Sequence, residues 1–458
     1  MSVDLSQPLK VHVVGIGGAG MSAIAEVLQG RGHTVSGSDL NDSKVLETLR
    51  SSEIKTFVGH SSANLGEVDV VTHSTAIPET NPELVEAKER NLPVLRRAEM
   101  LSAITRDWKS LAVAGTHGKT TTSAMLTMAL KAAGLDPAHI VGGNIAELGK
   151  GAGVGNGEYL VVEADESDGT FVELDLFGSI VTNVEPDHLE HYGGFENLKK
   201  AFVQFVSQCE GPKVLCLDDS GAAELVTLVK QNSTCTTYGT SQDADWVMGN
   251  IESSSEGILF TVTHDTDSYN VLIPQPGLHN GLNAVAAIAM AYELGADIDK
   301  VVAGLANFGG VGRRYEKRGN ANGVTLVDDY AHLPTEVQAA LAAGRSTNPK
   351  RLVAVFQPHR YSRTEQLWDS FGTSFAEADE LIVTGIYSSG EKPREGITGK
   401  LIADIVEKED SSANVTYIES LDDVVTHLVA TLIDGDLCMT LGAGDLTEIP
   451  DQVLKGLS

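Results

Sequence analysis

Short apolar runs alternate with longer stretches of helical spacing along most of this chain. Between 10 and 106 the runs Val11–Val14, Thr34–Ser36 and Val68–Thr72 accompany a helix-compatible stretch at Met21–Gln29. Apolar runs of this length, bounded by turn residues, read as buried strands. Their alternation with helices predicts a Rossmann-like α/β layer. The polar stretch Arg106–Lys109 reads as a hinge, after which the alternation resumes. Strands are predicted at Leu111–Ala114, Leu160–Val162, Ile180–Thr182 and Val214–Leu217, with a helix over Thr121–Lys131. A more β-rich insert follows at Asp245–Val271, then a helix over Asn283–Leu294. Past the turn Phe308–Gly312 a third α/β run places strands at Thr325–Val327, Leu352–Phe356, Leu381–Thr384 and Leu437–Thr440. The expectation is an α/β protein of three domains, 1–106, 107–312 and 313–458, and a chain of 458 residues is long enough for each to bury its own core.

Charge narrows the choice of partners. The chain has 33 basic and 63 acidic residues, a formal net charge of −30. Such a balance argues against general nucleic-acid binding and against docking on an anionic membrane. Anionic substrates would have to be met by local groups of cations, which draws attention to arginines and lysines near glycine loops. The bulk acidity itself reads as an aid to solubility. The four cysteines, Cys209, Cys216, Cys235 and Cys438, show no C-x-x-C spacing and read as reduced structural thiols. The start MSVDLSQPLK has no apolar signal region, and no apolar run reaches membrane-span length, so the expectation is a soluble, cytoplasmic protein.

Ser110–Thr122 is the most informative segment. A short apolar run leads into Gly115-Thr116-His117-Gly118-Lys119-Thr120, and Thr121 opens a helical stretch. Strand, glycine loop and helix form a phosphate cradle in which backbone N–H groups face the phosphates. A lysine reaches the terminal ones and a hydroxyl can ligate Mg²⁺. Val113 stands where the full G-x-x-x-x-G-K-[ST] pattern has its first glycine. A second loop, Gly15-Ile16-Gly17-Gly18-Ala19-Gly20, also follows a strand, and Asp39 comes at the spacing of a ribose-binding acid. Alone it reads as an NAD site, as a site for another diphosphate such as a UDP-sugar, or as tight strand–helix packing. His73, Ser74 and Thr75 follow a strand and read equally as ligand contacts or a polar loop.

Other clusters follow presumed strands. Glu163, Asp165, Glu166 and Asp168 end one, and carboxylates beside a phosphate loop are a common way to hold Mg²⁺. Glu163 is the first acid and the favoured ligand. The stretch Thr182–Leu189 offers His188 as a further ligand or as a helix-start residue. Asn280 and Asn283 read as base contacts or as a helix N-cap arrangement, and Arg314 as a phosphate clamp or as a surface partner of Glu316. In the third domain Asp328–His332, Gln357–Arg363 and Tyr387–Glu391 fall at strand ends, where open α/β sheets bind ligands. His359, Arg360 and Arg363 make a dense cationic group suited to an amino-acid carboxylate or a phosphate.

In this order the motifs GIGGAGM, HSTAI, AGTHGKTTT, EADESDGTF, TNVEPDHLE, HN-x-x-NA, GVGRRYE, DDYAHLPTE and FQPHRYSRT resemble the Mur ligases over essentially the whole chain. The resemblance implies a Rossmann-like N-terminal domain, a central P-loop ATPase α/β domain and a Rossmann-like C-terminal domain. It implies ATP-dependent joining of L-alanine to the lactyl carboxylate of UDP-N-acetylmuramate through an acyl phosphate. The nearest rival adds a tripeptide to the same UDP-sugar. Gly15, Gly17, Gly18, Gly20, Asp39, His73 and Ser74 would then hold a UDP-sugar rather than NAD. Gly115, Thr116, His117, Gly118, Lys119, Thr120 and Thr121 would cradle ATP, with Lys119 on its β/γ-phosphates. Thr120 and Glu163 would bind Mg²⁺, and His188 a second Mg²⁺ or its water shell. Asn280, Asn283 and Arg314 would contact ATP, with Asp328 or Asp329 near its ribose and phosphates. Tyr330, His332, His359, Arg360 and Arg363 would position the amino acid, and His332 and His359 are the candidate bases. Leu333 departs from the family's usual second histidine and alters that pocket. The partners implied are small molecules alone, with no nucleic acid and no membrane, in a monomer or homodimer. An NAD-dependent dehydrogenase is disfavoured by the Lys119 loop and Glu163.

Overall fold

The computed structural model describes residues 3–231 and 233–458, and builds them around three sheets. The first is wholly parallel, in the order Lys55–Val58, Thr34–Asp39, Lys10–Val14, Val70–His73, Val94–Arg96. Lys10–Val14 is central and buried at every position after Lys10, as a parallel strand covered on both faces must be. The helix Ala19–Gly30 buries Met21, Ile24, Ala25 and Leu28, a one-sided stripe at helical spacing. Strand order reverses between Lys10–Val14 and its neighbour Val70–His73, so the first glycine loop leaves the sheet at a switch point, where such sheets bind ligands.

The second sheet has ten strands. Its parallel heart runs Lys213–Cys216, Gly178–Val181, Lys109–Ala114, Tyr159–Glu163, Ala138–Ile145. Because the three middle strands are parallel neighbours, the segments after Ala114, Glu163 and Val181 emerge side by side. The β-rich insert expected over Asp245–Val271 appears as Trp246–Ser254, Gly257–His264 and Asp267–Ile273, in order at one end of this sheet. The third sheet runs Glu316–Ala321, Val324–Asp329, Asp436–Leu441, Arg351–Phe356, Glu380–Val383, Val415–Tyr417, and only its first strand is antiparallel.

One expectation is corrected. The helix placed over Asn283–Leu294 runs Leu278–Glu293, so Asn280 sits in its first turn rather than ahead of it and Asn283 a turn further in rather than at its start. Pro276 and Gly277, the latter at φ +102°, break the preceding segment and let the helix begin early. The presumed hinge is also held: Arg31 Nη2 lies 3.1 Å from Asp107 Oδ2, and its guanidinium stacks 4.2 Å above the Trp108 ring.

The chain packs as two compact units. One runs to Gly249 and adds Thr261–Val271 and Leu282–Phe308; the other comprises Asn250–Phe260, Leu272–Gly281 and Gly309–Ser458. All four cysteines are free, with Cys209, Cys216 and Cys438 buried. No helix of the described residues is long and apolar enough to cross a membrane.

Candidate active site

The loop after Lys109–Ala114 explains its own missing glycine. Val113 is fully buried inside the strand and pairs with Glu163 on one side and Ile180 on the other, so the turn starts only at Gly115. Gly115 (φ +136°) and Gly118 (φ +80°) hold conformations that side chains resist. A Cβ on Gly115 would stand 2.1 Å from Thr182 Oγ1. The 182–185 segment packs against the loop and is tied to it. His117 N donates to Asn183 Oδ1 at 2.7 Å, Thr182 Oγ1 donates to the His117 carbonyl at 2.6 Å, and Glu185 N donates to Thr116 Oγ1 at 2.8 Å. Thr121 is buried in the first turn of the following helix, Lys119–Ala132.

Charge is concentrated at that helix start. Lys119 Nζ donates to the carbonyls of Gly115 (2.7 Å) and Thr116 (3.2 Å) and to Glu166 Oε1 (3.0 Å). Burial pushes the Lys119 ammonium down, but Glu166, Asp165 and Glu163 outweigh it and the net direction is up, so the lysine stays charged. Glu166 is only 2 % exposed, and burial raises its carboxyl against the pull of Lys119. Thr120 Oγ1 donates to Glu163 Oε1 at 3.1 Å, and the other oxygen of Glu163 accepts from Gly142 N at 2.7 Å. A hydroxyl and a carboxylate meeting beside a phosphate loop fit a hard cation such as Mg²⁺, which keeps several waters and needs few protein ligands. His188 lies apart from this pair in its bonding: it precedes the short helix Leu189–Tyr192 at φ +52°, with Nε2 3.3 Å from Asp187 Oδ2. Asn283 does reach the loop, since a Cβ on Gly118 would lie 2.8 Å from Asn283 Oδ1. Asn280 is buried and donates its side-chain amide to the Pro276 carbonyl at 2.8 Å, which ties the helix start to the preceding turn but is not the N–H-accepting bond of an N-cap.

The first glycine loop gathers a different set. Gly15 N and Ile16 N donate to the Ser38 carbonyl at 2.8 and 3.0 Å, and Gly17 N donates to Asp39 Oδ2 at 2.9 Å. A Cβ on Gly15 would lie 3.2 Å from Ser74 Cβ, which brings Ser74 to the loop. His73 is buried, with Nδ1 3.0 Å from the Ser74 carbonyl. Gly18 N-caps the helix Ala19–Gly30, and Gly20, in its first turn, faces Arg97.

At the third sheet the predicted residues converge. Arg313 and Arg314 both place their guanidiniums over the Tyr330 ring, 4.9 and 5.0 Å from its centroid. His332 and His359 stand 5.6 Å apart by ring centroid, His359 stacks on Tyr387 at 5.7 Å, and His359 Nδ1 is 3.3 Å from Arg363 Nη1. Arg360 holds a left-handed φ of +67° and donates its N–H to the Tyr387 carbonyl at 2.8 Å. Burial pushes the His359 ring down to about 4, helped by His332, Arg363 and Arg360, and burial lowers His332 against the pull of Glu336. Glu336 accepts from the N–H groups of His332 and Leu333 at 3.0 and 3.2 Å, fixing the start of the helix Pro334–Ser346, and Leu333 is buried.

The two aspartates differ. Asp328 is 1 % exposed and accepts from Thr440 Oγ1 (2.8 Å) and Thr447 Oγ1 (2.6 Å), with Arg313 Nε at 3.5 Å. Asp329 accepts from Tyr315 N and Ala331 N at 2.7 and 2.8 Å, and burial raises its carboxyl to about 6 although Arg314 pulls it down. Arg97, Glu166, Glu336 and Tyr387 join these sites without having been singled out from sequence. Glu166, Glu336 and Tyr387 did lie inside motifs that were read.

Known proteins resemble the chain along its whole length. Residues 10–109 match the Mur ligase family catalytic domain, 113–291 the Mur ligase middle domain and 313–444 the Mur ligase glutamate ligase domain. The UDP-N-acetylmuramate–L-alanine ligase of Geotalea daltonii is 42% identical over 451 residues, covering 98% of each chain. That of Geobacter sp. (strain M21) is 44% identical over 452 residues, covering 98% of this chain and 97% of the relative. The crystal structure of the UDP-N-acetylmuramate-alanine ligase from Thermotoga maritima superposes with a TM-score of 0.81 at 30% identity, covering 98% of both chains. By sequence and by architecture, the chain belongs to the Mur ligase family.

Proposed function

We propose that this chain joins L-alanine to the lactyl carboxylate of UDP-N-acetylmuramate at the expense of ATP. The observation that carries the chemistry is the Lys119 loop with Thr120 and Glu163 hydrogen-bonded beside it. The relatives' shared activity, at 42% and 44% identity over nearly the whole chain, supports the choice of substrates. The domains of this reading are 1–106 for the UDP-sugar, 107–312 for ATP and 313–458 for the amino acid, supported by the three consecutive family matches.

Lys119 and the N–H groups of Gly115–Thr121 hold the β/γ-phosphates, and Asn283 flanks the loop at Gly118. Thr120 and Glu163 would hold Mg²⁺, with His188 the further candidate for a second ion or the water shell, and the ion would supply charge neutralisation there. The substrate carboxylate attacks the γ-phosphorus; the bond to the β-bridging oxygen breaks and ADP leaves. The amine of alanine then attacks the acyl carbon, and phosphate departs from the tetrahedral intermediate. Positioning and charge do most of this work, and no covalent enzyme intermediate is needed. Arg360 and Arg363 suit the alanine carboxylate. Burial keeps His332 and His359 unprotonated, so either ring can accept the proton that the amine sheds. Arg314 serves the phosphates, and Asp329, the more open of the two aspartates, is better placed than Asp328 to meet ATP.

The test is ADP release with UDP-N-acetylmuramate and a panel of L-alanine, glycine, L-serine and a tripeptide. Turnover should be fastest with L-alanine. Turnover with the tripeptide alone would transfer the chain to the peptide-adding reading, and release with no amino-acid dependence would remove the ligase reading.

A further inference from the structure

Arg97 opens the helix Arg97–Thr105, directly after the edge strand Val94–Arg96 of the first sheet. Its side chain makes two distant approaches at once. A Cβ on Gly20 would lie 3.4 Å from Arg97 Nη1 and 3.5 Å from its Cδ, so the guanidinium packs on the first turn after the first glycine loop. Its Nη2 lies 3.3 Å from Asp168 Oδ2. The other oxygen of Asp168 accepts from Thr170 N at 3.0 Å and Thr170 Oγ1 at 2.5 Å, which fixes the carboxylate. Arg97 also lines a cavity whose remaining wall includes Glu163 and Asp165, and among the described residues it is the only cation in that lining. With side-chain exposures of 29% for Arg97 and 38% for Asp168, the pair is open to a ligand.

The first loop needs such a cation. Gly15–Gly20 contains no lysine or arginine, and the Asp39 carboxylate already lies against Gly17 N. An anionic substrate arriving there meets an acid, in a chain of net charge −30. A guanidinium can give one edge to a carboxylate and another to a ligand oxygen, which a lysine cannot reproduce. We propose that Arg97, oriented by Asp168, is an anion-binding residue of the UDP-sugar site that holds the substrate between the first glycine loop and the Glu163 side of the phosphoryl-transfer site. The proposal rests on the first loop being the UDP-sugar site.

The experiment titrates full-length wild type and variants with UDP-N-acetylmuramate, UDP-N-acetylglucosamine and a non-hydrolysable ATP analogue, and records a thermal melt of each. R97A should weaken UDP-N-acetylmuramate by about tenfold or more while leaving the ATP analogue within about twofold. R97K, which keeps the charge without the fork, should recover part of the loss. D168N should cost less than R97A and add nothing to it, since it acts through Arg97. An equal R97A loss for UDP-N-acetylglucosamine, which lacks the lactyl carboxylate, assigns Arg97 to the diphosphate; a loss confined to the muramate assigns it to the carboxylate, and both support the proposal. Unchanged UDP-sugar affinity in R97A, or an equal loss for the ATP analogue, overturns it. G17V, whose side chain would collide with Asp39 and Leu46, separates the two levels. UDP-sugar affinity undiminished in G17V overturns the loop reading and this proposal together. Affinity lost in G17V but kept in R97A overturns the Arg97 proposal alone.

Discussion

The two glycine loops are the same backbone device in different chemical surroundings. Each follows a buried parallel strand, each turns on positive-φ glycine (Gly15 in the first, Gly115 and Gly118 in the second), and each leads into a helix. The difference lies in what the neighbouring strand delivers. Beside the first loop the strand Thr34–Asp39 turns a carboxylate onto the backbone donor of Gly17. Beside the second, Tyr159–Glu163 aims its carboxylate at the Thr120 hydroxyl, while Glu166 takes the Lys119 ammonium. An acid on the loop N–H groups suits hydroxyls such as those of a ribose. Acids facing a lysine and a hydroxyl suit a metal-bound polyphosphate. Glycine pattern alone therefore establishes a phosphate-sized turn, and the adjacent strand end decides the ligand.

The sharpest way to break this comparison is to remove the cation that only the second loop has. Lys119→Ala should lower ADP release by at least about a hundredfold, as expected when a fixed charge at a transferring phosphoryl group is lost. UDP-N-acetylmuramate affinity should stay within about twofold, because among the described residues Lys119 bonds within its own loop and to Glu166. Single-turnover ADP release and calorimetric titration read the two quantities separately. Equal damage to both would mean that the loops are not independent sites. Asp39→Asn is the converse and smaller perturbation. It keeps the side-chain oxygen near Gly17 N but removes the charge, and should weaken the UDP-sugar by about tenfold with no change for an ATP analogue. An ATP-selective loss in D39N would reverse the assignment of the two loops.

Much of this arrangement was legible because it is local. The strands at Val11–Val14, Leu111–Ala114 and Leu352–Phe356 are apolar runs that survive as Lys10–Val14, Lys109–Ala114 and Arg351–Phe356, with ends moved by at most two residues. Strand ends carry the candidate loops, so locating the runs placed Lys119, Glu163 and His359 at strand ends as well. What stayed hidden depends on contacts distant in sequence. Arg97 looks like an ordinary helix-start arginine until Asp168 is brought against it. Glu83, in a polar helix, is wholly buried and accepts from Ser38 Oγ and Asn64 Nδ2, each at 2.6 Å; Ser38 in turn supports the first loop through its carbonyl. No periodicity marks such a buried carboxylate, because its burial is compensated by partners from other elements. Asn280 shows the opposite problem: its motif was legible, but whether the amide served a ligand or its own helix start depended on where the helix begins.

The third sheet differs from both loops in gathering neutral rings among its cations, and pH gives the gentlest test of that contrast. His359 has its pKa pushed from 6.5 down to about 4, chiefly by burial. The folded protein therefore binds fewer protons there than the unfolded chain between those two values. Linkage then requires that this group's effect on stability, absent well above pH 6.5, turn increasingly unfavourable as pH falls through 6.5 toward 4. Denaturant midpoints measured at about pH 7.5 and about pH 5 should show a smaller acid loss in His359→Gln than in wild type, since glutamine carries no titrating ring. Lys119→Ala and Asp39→Asn should leave the contribution of His359 to this slope in place. An unchanged acid loss in His359→Gln would mean that the ring titrates normally, and the site would then hold a charged imidazolium near Arg360 and Arg363 under mildly acid conditions. A ring titrating near 6.5 would still be unprotonated at about pH 7.5, so that outcome would leave both His359 and His332 as candidate acceptors of the amine proton and would confine the charged ring to the acid side.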